Sequence, residues 1–144
     1  MKFNKEIHNG IGIDPQLITA DADGTTVKGP AVDGLGFEEA LITLQHGAVV
    51  AGATLAVKMQ ESPTTTDGDF VDIAGAAFAN VVGGSGVVSG IFVGRLNRAS
   101  RKRYLRLVAT VTGDTKTAQV SGLIALGAAK VKPVSQVTAL AFNL

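Results

Sequence analysis

Apolar residues in this chain recur at every second position, and no stretch sustains the three-and-four spacing of an amphipathic helix. The alternation is plainest in Thr54–Gln60, where Leu55, Val57 and Met59 oppose Thr54, Ala56 and Lys58. Tyr104–Thr112 is a second strand, rich in β-branched residues. Ala118–Leu126 is a third, with Val120, Gly122, Ile124 and Leu126 opposing Gln119, Ser121, Leu123 and Ala125. Phe37–Gln45, Phe70–Ile73, Val87–Leu96 and the apolar tail Val137–Leu144 extend the series. Glycines at 90 and 94 lie inside one of these strands, where glycine marks a bulge or the close approach of another backbone. Ala74–Val82 is alanine-rich and leaves a short helical turn open as an alternative. About eight strands separated by turns predict an all-β chain folded as a two-sheet β-sandwich, and the count suits a jelly roll.

The first 35 residues carry closely spaced turn signals: Asn9-Gly10, Asp14-Pro15, Asp23-Gly24, Gly29-Pro30 and Asp33-Gly34. Only short extended pieces, Gln16–Ala20 and Thr25–Lys28, lie between them. This reads as an extended N-terminal arm with short strands over residues 1–35, ahead of a sandwich over 36–144, in one domain overall. Such an arm either lies on a partner surface or supplies ordinary strands of the domain itself.

A chain of 144 residues is long enough to bury a core without staples, and the absence of cysteine excludes disulfides and thiolate metal sites. Only 17% of residues are charged against 46% hydrophobic, so little charge is available to cover the surface. Exposed apolar area of that kind marks contacts with other proteins. The segment Met1–Glu6 lacks the apolar stretch of a signal peptide, and no run approaches the ~20 apolar residues that span a bilayer. The expectation is synthesis in the cytoplasm with no membrane partner.

Residues that could carry chemistry are few. His8 and His46 share no local motif. Glu38 and Glu39 project to opposite faces of a strand and form no carboxylate couple. Asp67, Asp69 and Asp72 surround a turn and could offer oxygen ligands to Ca²⁺, but not in EF-hand spacing. Gly83-Gly84-Ser85-Gly86 lacks both the lysine and the following helix of a phosphate loop, and no serine sits in a nucleophile elbow. The expectation is therefore a protein that is not an enzyme, with no catalytic residues, no metal and no cofactor.

The one concentrated charge feature is basic. Arg95, Arg98, Arg101, Lys102, Arg103 and Arg106 fall together with no acid among them, while the whole chain carries only +1. They are candidate partner-binding residues, because guanidinium forks match carboxylates on another protein. A solvated or intradomain role is the alternative. Tyr104 is the only aromatic residue in the segment, so a base-stacking platform is poorly supported and direct contact with nucleic acid is not expected. Phe142, in the apolar tail, is a further candidate: the tail either adds a strand to a neighbouring protein or closes the chain's own sheet.

Three stretches taken in order are informative together: Val32–Glu38, an acidic turn entering a strand; Val57–Ser62 with the following Asp67–Ile73; and Arg103–Gly113. The succession of a Gln60-Glu61-Ser62 strand end, an acidic turn with the aromatic Phe70, and an Arg103-Tyr104-Leu105-Arg106 strand resembles the capsid cement (decoration) proteins of short-tailed bacteriophages, of the jelly-roll type. The resemblance covers roughly residues 30–127, with Phe70 where such proteins often carry tryptophan and an added Pro63–Thr66 in the turn. It implies a structural virion protein bound to the outer capsid surface. There it would bridge adjacent major capsid protein subunits as a homo-oligomer, a dimer or trimer. The alternatives are a head–tail or tail component of a phage and a carbohydrate-binding β-sandwich. The last would want exposed aromatics, and the chain has one tyrosine and no tryptophan.

Overall fold

The computed structural model describes residues 7–86 and 89–129. Ten strands account for about two thirds of them: β1 (His8–Thr19), β2 (Thr25–Lys28), β3 (Val32–Asp33), β4 (Phe37–Val49), β5 (Thr54–Ser62), β6 (Val71–Ala77), β7 (Val81–Val82), β8 (Gly90–Asn97), β9 (Tyr104–Thr112) and β10 (Thr117–Ala129). A single 3-10 turn, Asp67–Asp69, interrupts them.

The strands form two antiparallel sheets. One has four strands in the order β1-β10-β4-β8. The other has six, with β2-β9-β5-β6 as its path, β3 beside β9 and β7 beside β5. The pairs β1·β10, β2·β9, β4·β8 and β5·β6 are nested: each joins strands from ever closer positions in the chain. That is one long hairpin wrapped around a barrel-like core, the jelly-roll topology. The two-sheet sandwich predicted from the alternation is therefore the observed fold.

The alternation places one side chain in two inside. Ile42, Leu44, Ile124 and Leu126 from the four-stranded sheet meet Leu55, Leu105, Leu107 and Val111 from the six-stranded sheet, all nearly inaccessible to solvent. Each such side chain contributes about 1.5–3 kcal/mol on burial. Two glycines hold the sheets at their closest. A Cβ on Gly29 would fall 1.6 Å from the Gly12 carbonyl oxygen, while the Gly29 amide donates to the Leu107 carbonyl at 2.8 Å.

Residues 8–33 are built into the sandwich: β1 is a full edge strand of the four-stranded sheet, and β2 and β3 line β9. Ala74–Val82 contains no helical turn. β6 continues through Ala77, with Gly75 at φ +77°, and Val81–Val82 pairs with β5. Alanine's helix propensity loses here to ladder pairing and to the left-handed glycine. Phe142 and the strand expected over Val137–Leu144 lie outside the described residues.

Candidate docking face and the arginine cluster

The outer surface of the four-stranded sheet is apolar where an antiparallel sheet would ordinarily be polar. Strand register sets its rows. Ile11, Leu123, Thr43 and Val93 stand side by side across β1, β10, β4 and β8. The next row is Asn9, Ala125, Leu41 and Arg95, and the row on the other side includes Ser121, Gln45 and Ile91. Ile11 is 53% exposed, Leu41 46%, Ile91 65%, Val93 63% and Leu123 42%. All five project from one face because each lies an even number of residues from its exposed neighbours on the same strand. The charged pair in these rows is Arg95–Glu39, closed on itself at 2.5 Å. Two shallow depressions of about 300 Å³ score the face, one between Ile11 and Leu123 and one between Leu41 and Ala125. A wider open depression of about 610 Å³ adjoins it, walled by Gln16, Gln45, Gln119, Ser121 and His46.

The six cations of the basic segment have unlike surroundings. Arg98 is interior, 7% exposed, and its guanidinium donates to four carbonyls: those of Gly34, of Phe37 at 3.0 Å, of Lys102 at 2.9 Å and of Arg103 at 3.0 Å. It ties the loop before β4 to the loop before β9. Burial pulls its pKa down, against the opposing pull of Asp33 and Glu61. Arg106 is also interior, on the outer side of β9. Its Nε donates to Gln60 at 2.8 Å, its Nη1 reaches Asp67 at 2.5 Å, and its guanidinium lies 3.9 Å from the centre of the Phe70 ring. The acidic turn thus folds over the six-stranded sheet and is latched there, with Lys28 adding a 2.7 Å bond to Asp67. Arg103 grips Asp33 with two parallel bonds of 2.9 and 2.6 Å. Arg101 stands 3.6 Å from Glu61, and its buried Nε has no hydrogen-bond partner. Glu61 also accepts the Lys102 backbone amide at 3.0 Å, while the Lys102 side chain is exposed. Five of the six cations thus bond within the chain through their side chains. Apart from the Lys102 and Arg103 carbonyls that Arg98 reaches, their partners lie tens of residues away in sequence, in segments that only folding brings together.

The other candidates are dispersed. His8 pairs in register with Leu126, which pairs with Ala40, and His46 lies six residues further along β4. That is about 20 Å of strand, too far for a shared metal ion. The buried His46 ring donates from Nδ1 to the Gly47 carbonyl at 2.8 Å and stacks 5.9 Å from Phe92. Asp72 is held by Lys58 at 2.6 Å and Gln60 at 2.7 Å, and Asp69 by the Thr64 hydroxyl at 2.5 Å. Among the described residues no cluster of three or more metal-ligating side chains exists.

These ion pairs have a pH signature. Hydrogen bonds from Arg103 lower the pKa of Asp33, Lys28 and then Arg106 lower that of Asp67, and Lys58 with Gln60 lower that of Asp72. A carboxylate whose folded pKa is depressed adds stability above its unfolded pKa of about 3.9 and loses it as pH falls through the folded value. The urea midpoint is therefore expected to fall steadily as pH drops below about 4. The triple variant Asp33→Asn, Asp67→Asn, Asp72→Asn should be less stable at pH 7 and show a flatter profile in that acid window. Parallel profiles for the two proteins would contradict the assignment.

No family profile matches the chain, and comparison with curated proteins finds no match. Solved structures do match. The structure of infectious bursal disease virus, Gx strain, superposes with a TM-score of 0.58 at 14% identity, over 83% of this chain and 31% of that one. The VP2 subviral particle of the same virus gives 0.58 at 14% identity, over 86% and 32%. The PBSX exported protein XepA gives 0.51 at 17% identity, over 94% and 43%. The chain thus spans about a third of the length of the two viral proteins and under half of the exported one, and what it shares with all three is the β-sandwich fold.

Proposed function

We propose that this chain is a structural virion protein that binds the outside of a phage capsid and cements adjacent major capsid protein subunits, acting as a homo-oligomer and not as an enzyme. The observation that carries this reading is the continuous apolar face of Ile11, Leu41, Ile91, Val93 and Leu123 on the four-stranded sheet of the sandwich. A face with one self-closed ion pair loses little on being dried, so a flat partner can cover it without stranding charge. The fold shared with the infectious bursal disease virus structures supports a virion setting. The cementing role rests on the sequence resemblance together with the face.

The basic segment gives little support to a nucleic-acid partner. Arg95, Arg101, Arg103 and Arg106 are each within ion-pair distance of a carboxylate, so little free positive charge is left to follow a phosphate backbone. Many identical modest contacts on a repeating shell would then add up to firm attachment. The test is co-sedimentation with shells of the encoding virus that were assembled without this chain. Saturable binding at a fixed ratio to the major capsid protein, with a higher shell disruption temperature, is the expected result. Shells that neither bind the protein nor gain stability from it would overturn the reading.

A further inference from the structure

The sheet edges are unlike. β1 carries Pro15 and two register irregularities, between Ile11 and Ile13 and between Ile13 and Gln16. β6 has a register shift and a left-handed Gly75, and β2 is only four residues long. Such features blunt an edge against further pairing. β8 has none of them. It runs Gly90–Asn97 with eight consecutive pairs to β4, no bulge, no proline and no lysine. The ladder also fixes which backbone groups point outward. The Arg98 amide donates to the Glu38 carbonyl at 2.8 Å, so residues in step with it, Phe92, Gly94 and Leu96, bond to β4. Ile91, Val93 and Arg95 therefore aim their N–H and C=O groups away from β4. Among the described residues no strand pairs with β8 on that side.

We infer that this edge pairs with β8 of a second copy of the chain, antiparallel about a two-fold axis at Val93. An axis normal to the sheet keeps inward side chains inward, so only residues of the same parity face each other. Ile91, Val93 and Arg95 share one parity, so each outward N–H and C=O meets a counterpart on the second copy. Side chains then choose among the registers. With Val93 on the axis, Phe92 stands beside Gly94 of the second copy, Leu96 beside Gly90, and Ile91 beside the stem of Arg95. Both large inward side chains thus meet a glycine. An axis at Gly94 would set glycine against glycine and bring the two Arg95 side chains onto a diagonal, where like charges repel. An axis at Phe92 would leave only residues 90–94 of β8 paired with each other. The single charge on β8, Arg95, is closed on Glu39 of its own chain and presents no unpaired charge to the neighbour.

Beside the edge, a groove of about 250 Å³ separates β8 from Ala74, Gly75, Ala76 and Ala77 of β6, short side chains that give a second sandwich room to approach. The pairing joins two four-stranded sheets into one of eight. The row Ile11, Leu123, Thr43 and Val93 then runs on into its own copy across the axis, and the outward apolar face doubles in width. A face of that span reaches two neighbouring capsid subunits at once. This last consequence rests on the proposed capsid role, whereas the pairing rests on the edge alone.

The chain has no cysteine, so a single substitution reports the axis. Val93→Cys sets two thiols face to face across a Cα separation of about 5.5 Å, within disulfide range. Mild oxidation of the full-length protein, without shells, is expected to give covalent dimers at least tenfold faster than Leu123→Cys, which lies on the same face two strands in from the edge. Equal rates would overturn the pairing. Val93→Pro removes an N–H that points outward, so it should stay folded and sediment as a monomer. A Val93→Pro protein that remains a dimer would place the contact elsewhere. Should the variants fold poorly, sedimentation of the unaltered protein decides, and a monomer there refutes the pairing, as it would if another segment of the same chain covered the edge. The two readings part on shells. A monomer that still binds shells overturns only the pairing, and a dimer that binds none overturns only the capsid role.

Discussion

Arg98→Ala is expected to destabilise the fold by about 3–5 kcal/mol, a large share of the ~5–15 kcal/mol available to a domain of this kind. The guanidinium is buried and serves four backbone carbonyls from two loops, to which Asp33 and Glu61 add only an electrostatic pull. Removing it leaves interior carbonyls unpaired, each at about 1–3 kcal/mol if water does not replace it. It also leaves a void against Gly34, whose backbone packs so tightly on the guanidinium that a Cβ there would stand 2.1 Å from the central carbon. Arg98→Lys should recover little, since one ammonium cannot reproduce a planar fork that reaches four acceptors. Lys102→Ala, four residues on and exposed, should stay within about 0.5 kcal/mol of the unaltered protein. Urea unfolding of the three variants checks this. An Arg98→Ala protein within 1 kcal/mol of the parent would mean that the carbonyls find other partners.

The paired substitution Val93→Asp and Leu123→Asp is expected to weaken binding to capsid shells at least 100-fold while leaving the urea midpoint nearly unchanged. Both side chains are exposed and stand in one row of the outer face, with Thr43 between them. In the free protein the new carboxylates stay hydrated. In the complex they must be dried against an apolar partner, and a loss of ~1.4 kcal/mol from each already amounts to the 100-fold effect. Arg95→Ala in the adjacent row should change binding only a few fold, because its charge is already closed on Glu39 at the surface. Equal binding by the double variant and the parent would move the contact away from this sheet.

The alternation of apolar residues was enough to place the strands whose ladders are regular. Tyr104–Thr112 coincides with β9 to the residue, and Thr25–Lys28, read as a short extended piece between turn signals, coincides with β2. It failed to mark β1 as one long strand, because bulges around Ile13 and Pro15 shift the register and break the period of two. Ala74–Val82 was ambiguous for a related reason: Gly75 in the left-handed region lets β6 bend, and its pairing with β5 jumps between Lys58 and Gln60.

The site was legible only in outline. Low charge and high apolar content called for an exposed apolar surface, but its place depended on register across β1, β10, β4 and β8, which local sequence does not encode. Ile91, Phe92, Val93 and Leu96 did carry a signal: a strand apolar on both faces has one face too many for a single core. The cluster of cations was visible, and their acids were not. Asp33 answers Arg103 and Asp67 answers Arg106 from across the fold, so a run that reads as a free basic patch carries most of its neutralisation with it.

The most direct test is an image of the virus particle with and without this chain. The account predicts density for the sandwich on the outer capsid surface, in copies that follow the lattice of the major capsid protein, with the face of Ile11, Leu41, Val93 and Leu123 against the shell. Density confined to a few copies at the head–tail junction or in the tail, or a particle unchanged by removing the chain, would contradict it.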